Sequence, residues 1–414
     1  MERIVERIVV VGGGQAGAAL VAKLRALGHA GPLTLVCGEP VPPYQRPPLS
    51  KKYLLGEMSV ERLYLRPESF YAEQGIELRT GAPVTAIDRA ARTVRLGAEA
   101  LPYDALALTT GALPRRLPPA IGGDLPGVYL MRTLADADRM EPEFRPGRRV
   151  LIVGGGYIGL EAAAVAASRG LRVTLVEATP RILGRVASAE TADFFRALHR
   201  SHGVDVREGA ALLRLSARDG RVASAGLADG EEIDVDFVVV GIGIVPDTRL
   251  AEAAGLMIDN GIAVDALCRT SDPAIWAAGD CTSFPWRPGE GGGESGARVR
   301  LESVQNAIDQ AEHAAAAILG ATAPYAPSPW FWSDQYDCKL QIAGLNAGYR
   351  RVVTRPGSRP GGRSVWYFDE RGMLAVDAVN DPKAYMQGKR WLETGASPDP
   401  ARIADPAIEL RQAL

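Results

Sequence analysis

Cysteine and histidine are scarce: four of each are spread over 414 residues. Cys37, Cys268, Cys281 and Cys338 stand singly, with no C-x-x-C and no close pair of any spacing. That argues against a sequence-local redox disulfide and a structural zinc site, and leaves the thiols as small buried filler. No metal site is expected. No apolar stretch approaches the ~18 residues of a membrane span. The opening MERIVERIVVVGGG passes from charged residues into an apolar strand without a signal-peptide h-region. These absences predict a cytoplasmic protein with no membrane partner. An excess of charge is missing too: the formal net charge is −2, so nothing points to nucleic acid or an anionic surface as partner. The length exceeds one hydrophobic core and predicts two or three domains.

Glycine, by contrast, is abundant, and two groups of it share one frame. VVVGGGQAGAAL places Gly12, Gly14 and Gly17 as G-x-G-x-x-G, and VLIVGGGYIGLEAA places Gly154, Gly156 and Gly159 likewise. Each follows a β-branched run that reads as a buried parallel strand and precedes an Ala-rich stretch that reads as a helix. One glycine allows the tight turn, one lets the backbone approach a pyrophosphate, and one lets helix and strand pack closely. The helix N-terminus then favours the anion. One such motif is weak evidence; two in register predict two bound dinucleotides. Glu39 and Glu177 end the next strands about 20 residues on, where a carboxylate can accept from ribose hydroxyls. Either alone reads equally as a solvated strand end. Glu177 would also repel the 2′-phosphate of NADPH.

The first βαβ unit runs to about residue 40 and the Pro-rich loop EPVPPYQRPPLSKKYL follows. A short helix is predicted near Met58–Leu65, strands near Glu77–Thr80 and Val84–Asp88, and a strand ending in a glycine turn over Tyr103–Gly111. Past the second fingerprint, helices are predicted from Gly159 to about Ser168 and over Ala189–His202. Strand-and-glycine motifs then return in DFVVVGIGIVPDT and IWAAGDCT. That return suggests an insertion, the first nucleotide domain being interrupted by the second and completed by residues 247 to 322. The stretch Pro288–Arg298 reads as a mobile loop. RLESVQNAIDQAEHAAAAIL reads as an amphipathic helix, and from Ala323 aromatic-rich alternation suggests an antiparallel sheet.

GGGQAGAAL, PYQRPPLSK, LTTG, VLIVGGGYIGLE, GIGIVPDT, WAAGDCT, RLESVQNA and PWFWSDQ occur in order over essentially the whole chain. Together they resemble the FAD-dependent, NADH-using ferredoxin reductases of bacterial cytochrome monooxygenases and ring-hydroxylating dioxygenases. The resemblance implies an α/β, glutathione-reductase-like fold: two Rossmann-type nucleotide-binding domains plus a C-terminal α+β domain. Its expected boundaries are 1–112 and 247–322 for FAD, 113–246 for NAD, and 323–414 for the C-terminal domain. It places Gly12, Gly14, Gly17 and Glu39 at the FAD adenosine diphosphate, and Gly154, Gly156, Gly159 and Glu177 at NADH. Arg46 and Lys51 lie in the Pro-rich loop, and by the same resemblance Lys51 approaches the flavin N5 edge and Asp280 is the carboxylate expected to bind the ribityl chain. The resemblance also puts Glu161 on the first helical turn facing the flavin, where it could pair with Lys51 and touch the nicotinamide amide. Trp332, ahead of Trp330, is the aromatic brought near the flavin. Without the resemblance, Lys51 reads as a solvated cation, Asp280 as a cap, Glu161 as a helix-dipole partner and Trp332 as sheet core.

The implied activity moves two electrons from NADH through FAD to a 2Fe-2S ferredoxin, one at a time, with the cofactor carrying the chemistry. A disulfide reductase would need a thiol at the flavin, which the cysteine pattern does not offer. A rubredoxin or nitrite reductase component, or a monodehydroascorbate-type reductase, remains the alternative on this fold. Acidic ferredoxins would meet a basic patch drawn from Lys339, Arg350, Arg351, Lys383, Lys389 and Arg390.

Overall fold

Each β-branched run forms the middle strand of a five-stranded parallel sheet. The computed structural model describes residues 5–286, 297–357 and 359–414, so residues 288–296 of the expected glycine-rich loop lie outside the described residues. The chain divides into two units. One comprises residues up to Gln45 with Val60–Leu113 and Val245–Pro329; the other comprises Arg46–Ser59, Pro114–Ile244 and Trp330–Leu414.

In the first unit the strand order is Ile275–Ala277, Ala105–Leu108, Ile8–Val11, Leu33–Val36, Ile76–Arg79, with every neighbouring pair parallel. Strands this apolar are expected only where helices cover both faces of a sheet. The edge strand Ile275–Ala277 comes from beyond the second fingerprint, so the sheet is closed by residues from two distant stretches of chain. Helix Gln15–Ala26 packs its Leu20 and Leu24 into a core shared with Ala311, Ala314 and Ala315 of helix Val304–Ile318. Ser303 caps the latter helix, its hydroxyl accepting from the Asn306 N–H at 3.1 Å. The predicted short helix spans Val60–Leu63, and the two predicted strands span Ile76–Arg79 and Ala86–Asp88.

In the second unit the parallel order is Asp205–Glu208, Arg172–Glu177, Arg149–Val153, Phe237–Val240, Val128–Leu130. A three-stranded antiparallel sheet over Leu212–Arg218, Arg221–Leu227 and Glu232–Asp234 adds to it; the sequence reading had no counterpart for it. The antiparallel sheet expected from Ala323 begins at Trp330. Its order is Trp330–Gln335, Cys338–Gly344, Met373–Val379, Arg363–Phe368, Arg351–Pro356, so the aromatic segment is an edge strand. Helix Pro382–Thr394, also unforeseen, buries Tyr385 and Trp391 in the core with Trp366 and Val376. Buried Arg355 donates to the carbonyls of Ile403, Asp405, Pro406 and Ile408, which fastens the C-terminal segment. The segment Arg46–Ser59, expected with the first nucleotide fold, groups with the second unit: the Arg169 guanidinium donates to the Leu55 carbonyl at 2.6 Å.

Candidate active site

In the first fingerprint, Gly12 holds φ +119°, and a Cβ there would overlap the Thr109 carbonyl. A Cβ at Gly17 would overlap the Gly12 carbonyl oxygen. Thus Gly12 and Gly17 are glycine because the chain's own backbone fills the space. Gly14 differs. It is the N-cap at φ −93°, ψ −166°, an extended conformation open to any residue, and a Cβ there meets nothing within 4 Å among the described residues. Helix Gln15–Ala26 starts with no side-chain cap and no acid in its first turn. Its leading N–H groups therefore face open space with the positive end of the dipole behind them. This cradle fits a pyrophosphate.

Three further groups shape the cradle. The Thr109 hydroxyl, from LTTG, donates to the Gly12 carbonyl at 2.9 Å. Tyr44 donates to the Glu39 carboxylate at 2.6 Å. A Cβ on Gly279 would lie 3.2 Å from that of Ala16, so the turn carrying Asp280 rests against the start of the fingerprint helix. Buried Gln310 holds that turn, its side-chain carbonyl accepting from the Gly279 N–H at 2.8 Å and the Thr282 hydroxyl at 2.9 Å. The sequence reading passed over Thr109 and Gln310. Cys37 lies against Gly13 with its thiol pushed up to about 12, chiefly by burial. All four cysteines are free and buried.

The second fingerprint repeats the division of labour. Gly154 has φ +107° and abuts the Gly241 carbonyl, while Gly159 abuts the carbonyl of Gly154. Gly156, at φ −80° and ψ 178°, faces open space among the described residues, at a helix with no side-chain cap and no acid in its first turn. Glu177 is engaged with the loop itself. One oxygen accepts from the Gly155 N–H at 2.7 Å; the other accepts from the Thr179 N–H and hydroxyl at 2.8 and 2.7 Å. The carboxylate therefore fixes the fingerprint loop as well as standing at the strand end, a role the spacing alone does not reveal.

Within the same unit the Lys51 ammonium lies 3.0 Å from Glu161 and 3.6 Å from Asp334. Glu161 is 6% exposed. It accepts from the Ser333 hydroxyl at 2.7 Å and the Ser50 hydroxyl at 3.1 Å. Burial raises its pKa, and Lys51 with the two hydroxyls oppose that rise. The helix begins at Tyr157 rather than near Gly159, which places Glu161 one turn inside it and not on the first turn. Arg46 donates to the Arg132 carbonyl at 2.8 Å. Trp332 and Trp330 lie 5.5 Å apart on the edge strand, and Trp330 also meets Tyr385 of the C-terminal core. Of the six basic residues named above, Arg350 pairs with Glu370 at 3.4 Å and Lys389 with Glu393 at 3.1 Å. Among the described residues no group of three or more His, Cys, Asp or Glu could hold a metal ion, and no helix is long and apolar enough to cross a membrane.

Known proteins share this arrangement. Residues 6–311 match the family model described as pyridine nucleotide-disulphide oxidoreductase, and residues 330–414 match that described as reductase C-terminal. Rhodocoxin reductase of Rhodococcus erythropolis is 43% identical over 98% of this chain and 94% of its own. The ferredoxin reductase subunit of 5,5′-dehydrodivanillate O-demethylase from Sphingobium sp. is 44% identical over 98% and 97%. In the crystal structure of the covalent putidaredoxin reductase–putidaredoxin complex, the matching chain superposes with a TM-score of 0.93 at 39% identity, covering 99% of this chain and 98% of that one. The chain belongs to the pyridine nucleotide-disulphide oxidoreductase family, among the putidaredoxin reductase-like ferredoxin reductases of oxygenase systems.

Proposed function

We propose that this protein transfers electrons from NADH through bound FAD to a 2Fe-2S ferredoxin that feeds a monooxygenase or dioxygenase, in the cytoplasm. The observation that carries the reading is the pair of open glycines, Gly14 and Gly156. Each stands before an uncapped helix N-terminus, where its neighbouring glycines are filled by the protein's own backbone. Gly12, Gly14, Gly17, Glu39 and Asp280, with Arg46 and Lys51, would hold FAD; Gly154, Gly156, Gly159 and Glu177 would hold NADH. The domain assignment goes with it: residues 1–112 and 247–322 for FAD, 113–246 for NADH, 323–414 for the C-terminal domain.

FAD, when bound, supplies the conversion between a two-electron donor and a one-electron acceptor. The protein's share is binding, orientation and charge. The two uncapped helix starts would hold the pyrophosphates. Lys51 offers a cation, held in place by a buried carboxylate, and Trp332 offers a partly exposed indole on an edge strand. Lys339, Arg351, Lys383 and Arg390 have no ion pair among the described residues and are the remaining candidates to steer an acidic partner.

NADH-driven reduction, followed for a 2Fe-2S ferredoxin, a rubredoxin and a disulfide in parallel, tests the reading. The ferredoxin is expected to be reduced fastest, two per NADH, with negligible thiol release. Turnover of the disulfide, or rubredoxin outpacing every ferredoxin, would contradict it. A second expectation concerns Glu177. Charge repulsion and a lost hydroxyl contact of a few kcal/mol should favour NADH over NADPH by about a hundredfold in kcat/KM. Because Glu177 also fixes Gly155, E177A should both narrow that preference and raise the KM for NADH. Equal use of the two nucleotides by the unaltered protein would remove Glu177 from this role.

A further inference from the structure

Alternate residues of the edge strand Trp330–Gln335 meet the helices of the second nucleotide fold. The Phe331 ring lies 4.9 Å from that of Tyr157, Ser333 meets Glu161, and Gln335 meets His199. For the first two contacts this follows from strand and helix periods: residues two apart on the strand face Tyr157 and Glu161, four apart on one helix, while Gln335 reaches the next helix, Ala189–Ser201. The polar contacts form one chain. Its inner members, Ser333, Gln335 and His199, are 0% exposed.

The direction of every donor in the chain can be fixed. The Gln335 amide nitrogen donates to the Ser333 oxygen at 3.2 Å, and its carbonyl lies 2.8 Å from His199 Nε2. A carbonyl only accepts, so Nε2 carries the hydrogen. Burial holds His199 at about 4, so the ring is neutral near pH 7 and Nδ1 is bare. Nδ1 therefore accepts from the Tyr336 hydroxyl, 3.2 Å away. Tyr336 in turn stacks on exposed His202, with ring centroids 3.7 Å apart. At the other end the Ser333 oxygen already accepts from Gln335, which leaves its own proton for Glu161. Reversing the amide would turn its carbonyl toward Ser333 and withdraw that proton. Every donor thus points toward the carboxylate, the arrangement in which successive hydrogen bonds strengthen one another.

We propose that Ser333, Gln335 and His199 are positioning residues that hold Glu161 as an oriented carboxylate against Lys51, so that the C-terminal sheet sets the charge state of the pair. The inference rests on the reading of Lys51 and Glu161 as the pair at the flavin edge. A proton relay along the same chain is disfavoured by Gln335: its amide accepts on one atom and donates from another and does not pass a proton between them. The charged groups about Glu161 are Lys51 directly and Asp334 beyond it. Among the described residues no other charged group acts on it, so its titration reports on the chain and on Lys51.

The test is the ionisation midpoint of Glu161 in the FAD-loaded protein, read by carboxyl-carbon NMR with 13C-labelled glutamate and assigned by the signal lost in E161Q. S333A removes a hydrogen bond to the charged form and should raise the midpoint by about one to two pH units. Q335M, acting through Ser333, should raise it by about half a unit. A purely structural role would lower the melting temperature of either variant and leave the midpoint unmoved, which would overturn the proposal. A Q335M midpoint equal to wild type would overturn it as well, by cutting Gln335 and His199 out of the chain. If both midpoints rise as expected but NADH-driven flavin reduction stays constant across pH in both variants, the chain stands and the placement of Glu161 at the flavin edge falls.

Discussion

Replacing Gly14 with valine is expected to give a folded but colourless protein. The backbone there is extended, φ −93° and ψ −166°, which suits a β-branched residue. A Cβ meets no described atom within 4 Å, so the folded chain tolerates the substitution. The side chain instead occupies the opening in front of the helix N-terminus. Losing two charge-assisted hydrogen bonds at about 1.5–3 kcal/mol each weakens a bound pyrophosphate by roughly a hundredfold to ten-thousandfold. Flavin content, read from the visible absorbance of the purified protein, should fall from one per chain to near zero with the melting profile of the apoprotein unchanged. G12A is the contrasting change. It would strike the Thr109 carbonyl at φ +119° and should lose flavin by unfolding the loop rather than by filling the site.

The matching substitution G156V is expected to leave the protein yellow and to abolish its reduction by NADH. The geometry is the same: φ −80°, ψ 178°, open space, and a helix start with no side-chain cap and no acid in its first turn. The loss of the same contacts predicts a fall in kcat/KM for NADH of at least about a hundredfold. Dithionite, which needs no nucleotide site, should still bleach the flavin at the wild-type rate. Stopped-flow absorbance with the two reductants separates the effects, and a variant bleached normally by NADH would take the second fingerprint out of nucleotide binding.

These two substitutions rest on features legible in the sequence, because the fingerprint is local chemistry. Strand, turn and helix lie within a dozen residues, and the last glycine of each answers to a carbonyl of the motif itself, Gly17 to that of Gly12 and Gly159 to that of Gly154. The parallel sheets were legible because Ile8–Val11 and the four residues after Arg149 are apolar on both faces. What escaped reading is tertiary. Ser333 reads as an ordinary polar residue between aromatics, and only the fold brings it 2.7 Å from a carboxylate 172 positions away. His199 reads as the polar end of an amphipathic helix, yet it is 0% exposed. Glu177 was legible as a strand end, but its bond to the Gly155 N–H was not, because the strand end had first to be placed beside the loop. Gln310 carries a faint signal, sitting one helical turn after Asn306 on a helix with a polar spot in an alanine face. The bond from its carbonyl to the Gly279 N–H needs the sheet to exist.

The central claim is that the two fingerprints hold two different nucleotides and that electrons pass from one to the other. The most direct measurement takes both valine variants together and crosses two observables: flavin content, and affinity for ADP-ribose, which shares the pyrophosphate of NADH but not its nicotinamide. The account predicts that G14V lacks flavin yet binds ADP-ribose as the flavin-free wild type does, while G156V keeps one flavin per chain and binds ADP-ribose at least about a hundredfold more weakly. Loss of flavin from both variants, or undiminished ADP-ribose binding by G156V, would contradict it.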